Sequence, residues 1–255
     1  MSILLESKQL SKTFTLGKQN EHHVLKEVNL TIAQGDYVAV MGASGSGKST
    51  LLYNMSGMDR LTSGSVTFRG QELSHMHDQA LSTLRLTGMG FVFQHIHLLK
   101  NLSIFDNILL PGYLARKEER HKIDQRAREL MEHVGVAQLA DHDITQASGG
   151  QLQRVGICRA LINEPDILFG DEPTGALNST AADEIMALFA SINAAGTTIM
   201  LVTHDVKVAA QTERILFMLD GQIVSEKCLG KPSRTGADRK TREEQLSNWL
   251  FKMGF

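Results

Sequence analysis

Between Tyr37 and Gly57 the chain passes from a short apolar run, through a glycine-rich nonapeptide, into a second apolar stretch. The nonapeptide is Gly42-Ala43-Ser44-Gly45-Ser46-Gly47-Lys48-Ser49-Thr50, a complete G-x-x-x-x-G-K-[ST] phosphate loop set by Gly42, Gly47, Lys48 and Ser49. Tyr37–Met41 reads as a buried parallel strand, and Leu51–Met55 as a helix ending near Gly57. Glycines allow the backbone to curl around a polyphosphate. Amide N–H groups and a helix N-terminus then make a concave positive site. Lys48 is placed to neutralise the β- and γ-phosphates, and the Ser49 hydroxyl to hold Mg²⁺. A glycine-rich turn would match these four positions by accident in roughly one chain of this length in a hundred. The motif therefore predicts a nucleoside triphosphate site.

Composition narrows the surroundings. The 255 residues are 42% hydrophobic, enough for one large domain or one domain with an inserted lobe. A formal charge of −2 gives no global basic field for nucleic acid or a membrane surface. Cys158 and Cys228 have no Cys-x-x-Cys spacing, which suits reduced thiols. The first eight residues lack the pattern of a signal peptide, and nowhere do 18 apolar residues run together. The expectation is a protein that by itself is soluble and intracellular.

Along the chain, residues 3–36 read as β structure, with Val28, Leu30 and Ile32 alternating with Asn29 and Thr31. Leu16–His23 is expected to be a hairpin loop. Phe14 before it is core on periodicity, although such a ring can also stack on a base. Phe91-Val92-Phe93 is a second buried strand ending on Gln94, a residue placed either for ligand contact or in a solvated loop. Residues 96–165 turn helical. Ile123, Ala127, Leu130, Met131 and Val134 share one helical face, Gly135 stops that helix, and Pro111-Gly112 is expected to break the lobe once.

Ser148-Gly149-Gly150-Gln151 opens another helix. It is either a plain capped start or a second phosphate-binding end. Ile167–Phe169 is a buried strand delivering Asp171 and Glu172 at its carboxyl end. Coupled with Lys48 and Ser49, these acids read as metal ligand and general base. Ile185–Ile192 is an amphipathic helix, and Thr198–Thr203 is a strand ending on His204. Two His-x-His pairs, at 75/77 and 95/97, lack a third ligand to complete a tetrahedral metal set. From Lys227 the chain reads as a flexible basic linker containing Lys231, Arg234, Arg239, Lys240 and Arg242. Leu246, Trp249, Leu250 and Met253 then form a helical stripe. That helix either docks on a membrane partner or packs back on its own domain.

In order and spacing, Gly42–Thr50, Gln94, Ser148–Gln151, Asp171–Leu177 and Thr203–Asp205 resemble an ABC transporter ATPase over about residues 4–226. The loop variant and Thr174-Gly175-Ala176 look like the ATP-binding subunits of bacterial macrolide exporters, lipoprotein-release systems and bacitracin-type peptide-antibiotic exporters. The resemblance implies an α/β fold: an ABC-type P-loop NTPase with a mainly parallel sheet core, an N-terminal antiparallel β subdomain and an inserted helical subdomain. By this reading residues 1–228 are the ATPase domain, with the helical part at about 96–165. Residues 229–255 are a basic linker and amphipathic helix.

The resemblance also implies ATP and Mg²⁺ as cofactors, and a second copy of the chain as partner in a head-to-tail dimer. Ser148, Gly149, Gly150 and Gln151 would act in trans on the other copy's nucleotide. Gln94 joins Ser49 and Asp171 at Mg²⁺, Glu172 is the base, His204 contacts the γ-phosphate, and Phe14 moves from core to adenine stacking. A separate transmembrane permease subunit would hold the protein peripherally at the cytoplasmic side of the bacterial membrane, its coupling helix received in a groove beside Gln94 lined by His95–Pro111. Asn178 stands where the family has aspartate, keeping hydrogen bonding but losing a charge used across the dimer. Ala147 replaces a usual leucine before Ser148, losing apolar contact but no polar group. The rival reading is an ATP-driven switch that signals through a membrane partner without moving substrate.

Overall fold

The computed structural model describes residues 2–16, 20–233 and 236–253. In chain order the strands and helices are β1 (Ile3–Leu16), β2 (Asn20–Ala33), β3 (Tyr37–Met41), α1 (Lys48–Met55), β4 (Ser63–Phe68), β5 (Gln71–Glu72), α2 (Asp78–Gly88), β6 (Met89–Phe93), α3 (Ile104–Ala115), α4 (Arg120–His133), α5 (Gly149–Leu161), β7 (Ile167–Asp171), α6 (Ser179–Ala194), β8 (Thr198–Val202), α7 (Val206–Ala209), β9 (Arg214–Leu219), β10 (Gln222–Cys228) and α8 (Arg239–Lys252). The chain divides into two units: residues 1–81 with 198–255, and residues 82–197.

The first unit holds an antiparallel sheet in the order β2-β1-β4-β5 and strands in the order β10-β9-β3-β8. In the latter, β3 runs parallel to both β8 and β9, and β10 closes the edge antiparallel. All five residues of β3 and all five of β8 are buried, so these strands read as continuous apolar runs. In β2 the alternation holds: Val28, Leu30 and Ile32 are buried while Asn29 and Thr31 are exposed. The expected loop at Leu16–His23 is shorter than composition suggested. His22 pairs with Phe14 and His23 with Thr13. The Thr13 Oγ1–His23 Nδ1 contact of 2.8 Å extends the ladder through this polar stretch. Residues 17–19 of that loop lie outside the described ones.

In the second unit β6 and β7 pair in parallel, and α3, α4 and α5 enclose a core of Ile104, Ile108, Ile123, Ala127, Met131, Val155 and Cys158. Burial pushes the Cys158 thiol up to about 12, which leaves it inert. Helix begins at Ile104, with Ser103 accepting from the Asp106 N–H at 3.0 Å, rather than at residue 96. Pro111 does not break the lobe: α3 runs through it. Proline removes one helical bond there, but Ile104, Ile108 and Leu109 before it are buried and Tyr113 after it packs against the same core. A Cβ on Gly112 would come within 2.6 Å of Ile123 Cγ2, so this glycine serves close helix packing.

The C-terminal stretch also differs from its reading as a linker. Lys227 and Cys228 complete β10, and Arg239, Lys240 and Arg242 belong to α8; Arg234 lies outside the described residues. Leu246 and Leu250 are buried with Ala39, Met41, Ala209, Ile215 and Phe217, and Trp249 meets Phe217 edge-on at 6.1 Å. The apolar stripe of α8 therefore packs back on its own unit, because β3 and β9 offer it an apolar face.

Leu250→Ala is expected to cost about 2–5 kcal/mol of stability in urea unfolding, because Leu250 is 2% exposed. Phe251→Ala, at 81% exposure, should change it by less than about 0.5 kcal/mol. The reverse ranking would mean that α8 is not seated as described.

Candidate functional site

In the first unit β3 delivers the chain into the glycine loop, and Lys48 begins α1. Two backbone carbonyls press on this loop. A Cβ on Gly42 would lie 2.1 Å from the Met218 carbonyl oxygen, and one on Gly47 2.9 Å from that of Val24. Gly47 also has φ 100°, a left-handed conformation that suits glycine. The loop is braced from behind, where the Gly221 N–H donates to the Ser46 carbonyl at 3.1 Å and the Lys26 N–H to the Gly221 carbonyl at 2.9 Å. Met218, Gly221 and Val24 thus shape the loop although no motif in the sequence marks them.

Gly47 caps α1 without a side chain. The amides of the first turn therefore face the loop rather than a capping oxygen. Lys48 is buried and folds across the loop, donating to the carbonyls of Gly42 and Ala43 at 2.9 Å each. The Ser46 hydroxyl is buried with no hydrogen-bond partner. An orphaned hydroxyl beside a lysine and a helix N-terminus fits a phosphate oxygen. Ser44 and Gly45 are exposed at the loop's mouth, and Ser49 and Thr50 are half-buried in the first helical turn.

His204 is exposed and follows β8, the parallel neighbour of β3, so it lies at the same strand end as the loop. The Thr203 N–H donates to the Val40 carbonyl at 3.1 Å, continuing the ladder. Phe14 is 41% exposed, with the Lys12 Nζ 4.7 Å from its ring centre. It stands opposite His22, on the hairpin whose Val24 carbonyl abuts Gly47. Core packing of this ring is not observed; an exposed ring near the loop's flank is what base stacking needs.

In the second unit the Gln94 N–H donates to the Asp171 carbonyl at 2.9 Å, setting both residues at the carboxyl end of β6 and β7. Glu172 follows in the left-handed region at φ 48°, a strained conformation for a side chain of its size. A Cβ on Gly175 would lie 3.1 Å from the Gln94 amide, so the absence of a side chain there leaves Gln94 its place. Gln94, Asp171 and Glu172 are thereby gathered, with oxygen donors of the kind that Mg²⁺ takes.

Ser148 caps α5 in a reciprocal box. Its hydroxyl accepts from the Gln151 N–H at 3.3 Å, and the Gln151 Oε1 accepts from the Ser148 N–H at 2.8 Å. The Ser148 O–H hydrogen remains a donor. Gly149 and Gly150 follow as bare first-turn amides, and a cleft of about 380 Å³ opens there, lined also by Ala176, Leu177 and Asn178. Asn178 caps α6, accepting from the Ala181 N–H at 2.9 Å. An aspartate would make the same cap, so the asparagine changes charge and not local structure.

The structure thus groups the loop, His204 and Phe14 in one unit. Gln94, Asp171, Glu172 and the Ser148 helix end lie in the other. Among the described residues no helix is long and apolar enough to cross a membrane.

Gly47→Ala is expected to weaken binding of a fluorescent ATP analogue about 5- to 150-fold, from about 1–3 kcal/mol of backbone strain. Unchanged affinity in a folded variant would contradict the cradle described here.

The ABC transporter family model matches residues 25–175. A Pseudomonas entomophila protein described as "Probable export ATP-binding/permease protein MacB" is 42% identical over 99% of this chain. The chain spans only 38% of that protein's length. The Bacillus subtilis "Uncharacterized ABC transporter ATP-binding protein YvrO" is 41% identical over 87% of this chain and 96% of its own length. Among solved structures, the dimeric structure of MJ0796, described as a bacterial ABC transporter cassette, superposes with a TM-score of 0.83. It is 37% identical and covers 89% of this chain and 99% of its own. A post-hydrolysis dimer of MJ0796 bound to ADP and Pi gives 0.80 at 36% identity. These are α/β cassettes with the fold expected from the phosphate loop and its companion motifs. On this ground the chain belongs to the ABC transporter family and is one of its ATPase domains.

Proposed function

We propose that the protein dimerises head to tail on Mg-ATP and that hydrolysis of ATP powers a bacterial membrane transporter. In this reading two copies work with separate transmembrane permease subunits at the cytoplasmic face of the membrane. The cargo class is a peptide antibiotic, a macrolide or a lipoprotein, exported or extracted from the bilayer. One observation carries the reading: the glycine cradle, closed to side chains by the Met218 and Val24 carbonyls and holding a buried, unpartnered Ser46 hydroxyl beside Lys48. The dimeric MJ0796 cassette supports the assembly, and the export ATP-binding/permease protein supports coupling to export, each as an analogue.

The division of labour follows from the chemistry of each group. The amides of residues 44–50 orient the polyphosphate, and Lys48 exchanges its two loop carbonyls for phosphate oxygens. Ser49, Gln94 and Asp171 would hold Mg²⁺, which when bound would offset charge on the transferring phosphoryl group. Glu172, fixed by its strained backbone, orients a water and accepts its proton. His204 donates toward the γ-phosphate, and Phe14 stacks on the base. The Ser148 hydroxyl with the Gly149 and Gly150 amides caps the γ-phosphate of the other copy's nucleotide. Positioning and charge neutralisation supply most of the rate enhancement.

Glu172→Gln is expected to slow ATP turnover about 10²- to 10⁴-fold while nucleotide still binds, and to trap a dimer visible by analytical ultracentrifugation. Lys48→Ala should weaken ATP binding itself. Retained turnover in the first variant, or a monomer at saturating ATP, would overturn the assignment. In vesicles, transport by the reconstituted complex separates a motor from a signalling switch.

A further inference from the structure

Arg242 falls in a stretch whose composition reads as a flexible linker, yet it is 5% exposed. Its guanidinium donates to four backbone carbonyls: Nε to Ala210 at 2.8 Å, Nη2 to Thr212 at 2.8 Å and Gly230 at 2.9 Å, and Nη1 to Leu229 at 3.0 Å. The nearest carboxylate is Asp238, 3.7 Å from Nη1. Four of the five guanidinium donors are thus used on neutral carbonyls from two segments, the turn after α7 and the end of β10. An apolar residue would seat α8 against the Leu246–Leu250 cluster without desolvating a charge. What the guanidinium adds is direction, because its rigid fork sets the orientation of the backbone at Ala210 and Thr212.

That backbone is the one leading away from His204. Helix α7 is four residues long, and its own closing turn supplies its donors: the Ala210 N–H to Val206 at 2.9 Å, the Gln211 N–H to Val208 at 3.1 Å and the Thr212 N–H to Ala209 at 3.0 Å. The carbonyls of that turn, at Ala210 and Thr212, are the ones that Arg242 takes. The helix's entry is fixed: the Thr203 N–H bonds to Val40, the Thr203 hydroxyl accepts from the Asp205 N–H at 3.0 Å, and the Asp205 carboxylate from the Lys207 N–H at 2.7 Å. Its exit is held by Arg242. We propose that Arg242 is a positioning residue for His204: α8, through this one side chain, sets how the histidine is presented to the nucleotide. The catalytic consequence rests on the role proposed for His204 above; the positioning itself does not.

The test uses the full chain with Arg242→Lys and Arg242→Met, the lysine variant covering the case in which the methionine variant does not fold. The imidazole signal of His204, assigned by its loss in His204→Gln, is followed by nitrogen-15 NMR. It is expected to shift in both variants. The kcat for ATP should fall about tenfold or more with KM within about twofold, and the loss should vanish in a His204→Ala background. An unmoved His204 signal overturns the proposal, as does an equal kcat loss with and without His204. Should the wild-type chain hydrolyse no ATP, the proposed function fails, and the NMR signal alone then decides the positioning.

Discussion

The carbonyl oxygens of Met218 and Val24 press on the phosphate loop from outside, one against Gly42 and one against Gly47. A backbone that converges its amides on a polyphosphate has no room for Cβ atoms where neighbouring chain also comes close, and here the neighbouring chain is β9 and the β1–β2 hairpin. The glycines at 42 and 47 follow from that crowding. The cradle's backbone is hemmed in by its neighbours, which holds its amides in the converging arrangement that preorganised binding needs.

The other candidate site residues are held in a second way, at the ends of parallel strands. Gln94, Asp171 and His204 each arrive where a largely buried parallel strand stops, so the backbone there is fixed by ladder bonds. Glu172 is different: it occupies a left-handed conformation just beyond the ladder, and Gly175 behind it leaves space for the Gln94 amide. Strain at such a position persists only where surroundings over-determine it.

Much of this was legible in the chain itself. Periodicity located β2, β3, β6, β7, β8, α4 and α6, since buried strands and amphipathic helices leave apolar patterns that survive without context. The phosphate loop, the adjacent acids and the Ser148 helix end were readable because each is local, with its chemistry contained within ten residues. Misreadings arose where tertiary contact overrode local composition. The polar Asn20–His23 stretch is strand because β1 pairs with it, α3 continues through Pro111 because its apolar face is buried, and the basic tail is ordered around Arg242 because carbonyls from two other segments meet it.

Sequence alone therefore determined the chemistry on offer: a glycine loop with its lysine and serine, two carboxylates after an apolar run, a histidine at a strand end. These depend on residue type and short spacing, which chain order preserves. Only the tertiary structure decided that Gly42 and Gly47 are glycines for want of space, that Phe14 is exposed, and that α8 folds back on β3 and β9 with Arg242 behind the His204 turn. Each of those facts is a meeting of residues tens to hundreds of positions apart, and no local pattern encodes which distant carbonyl will arrive.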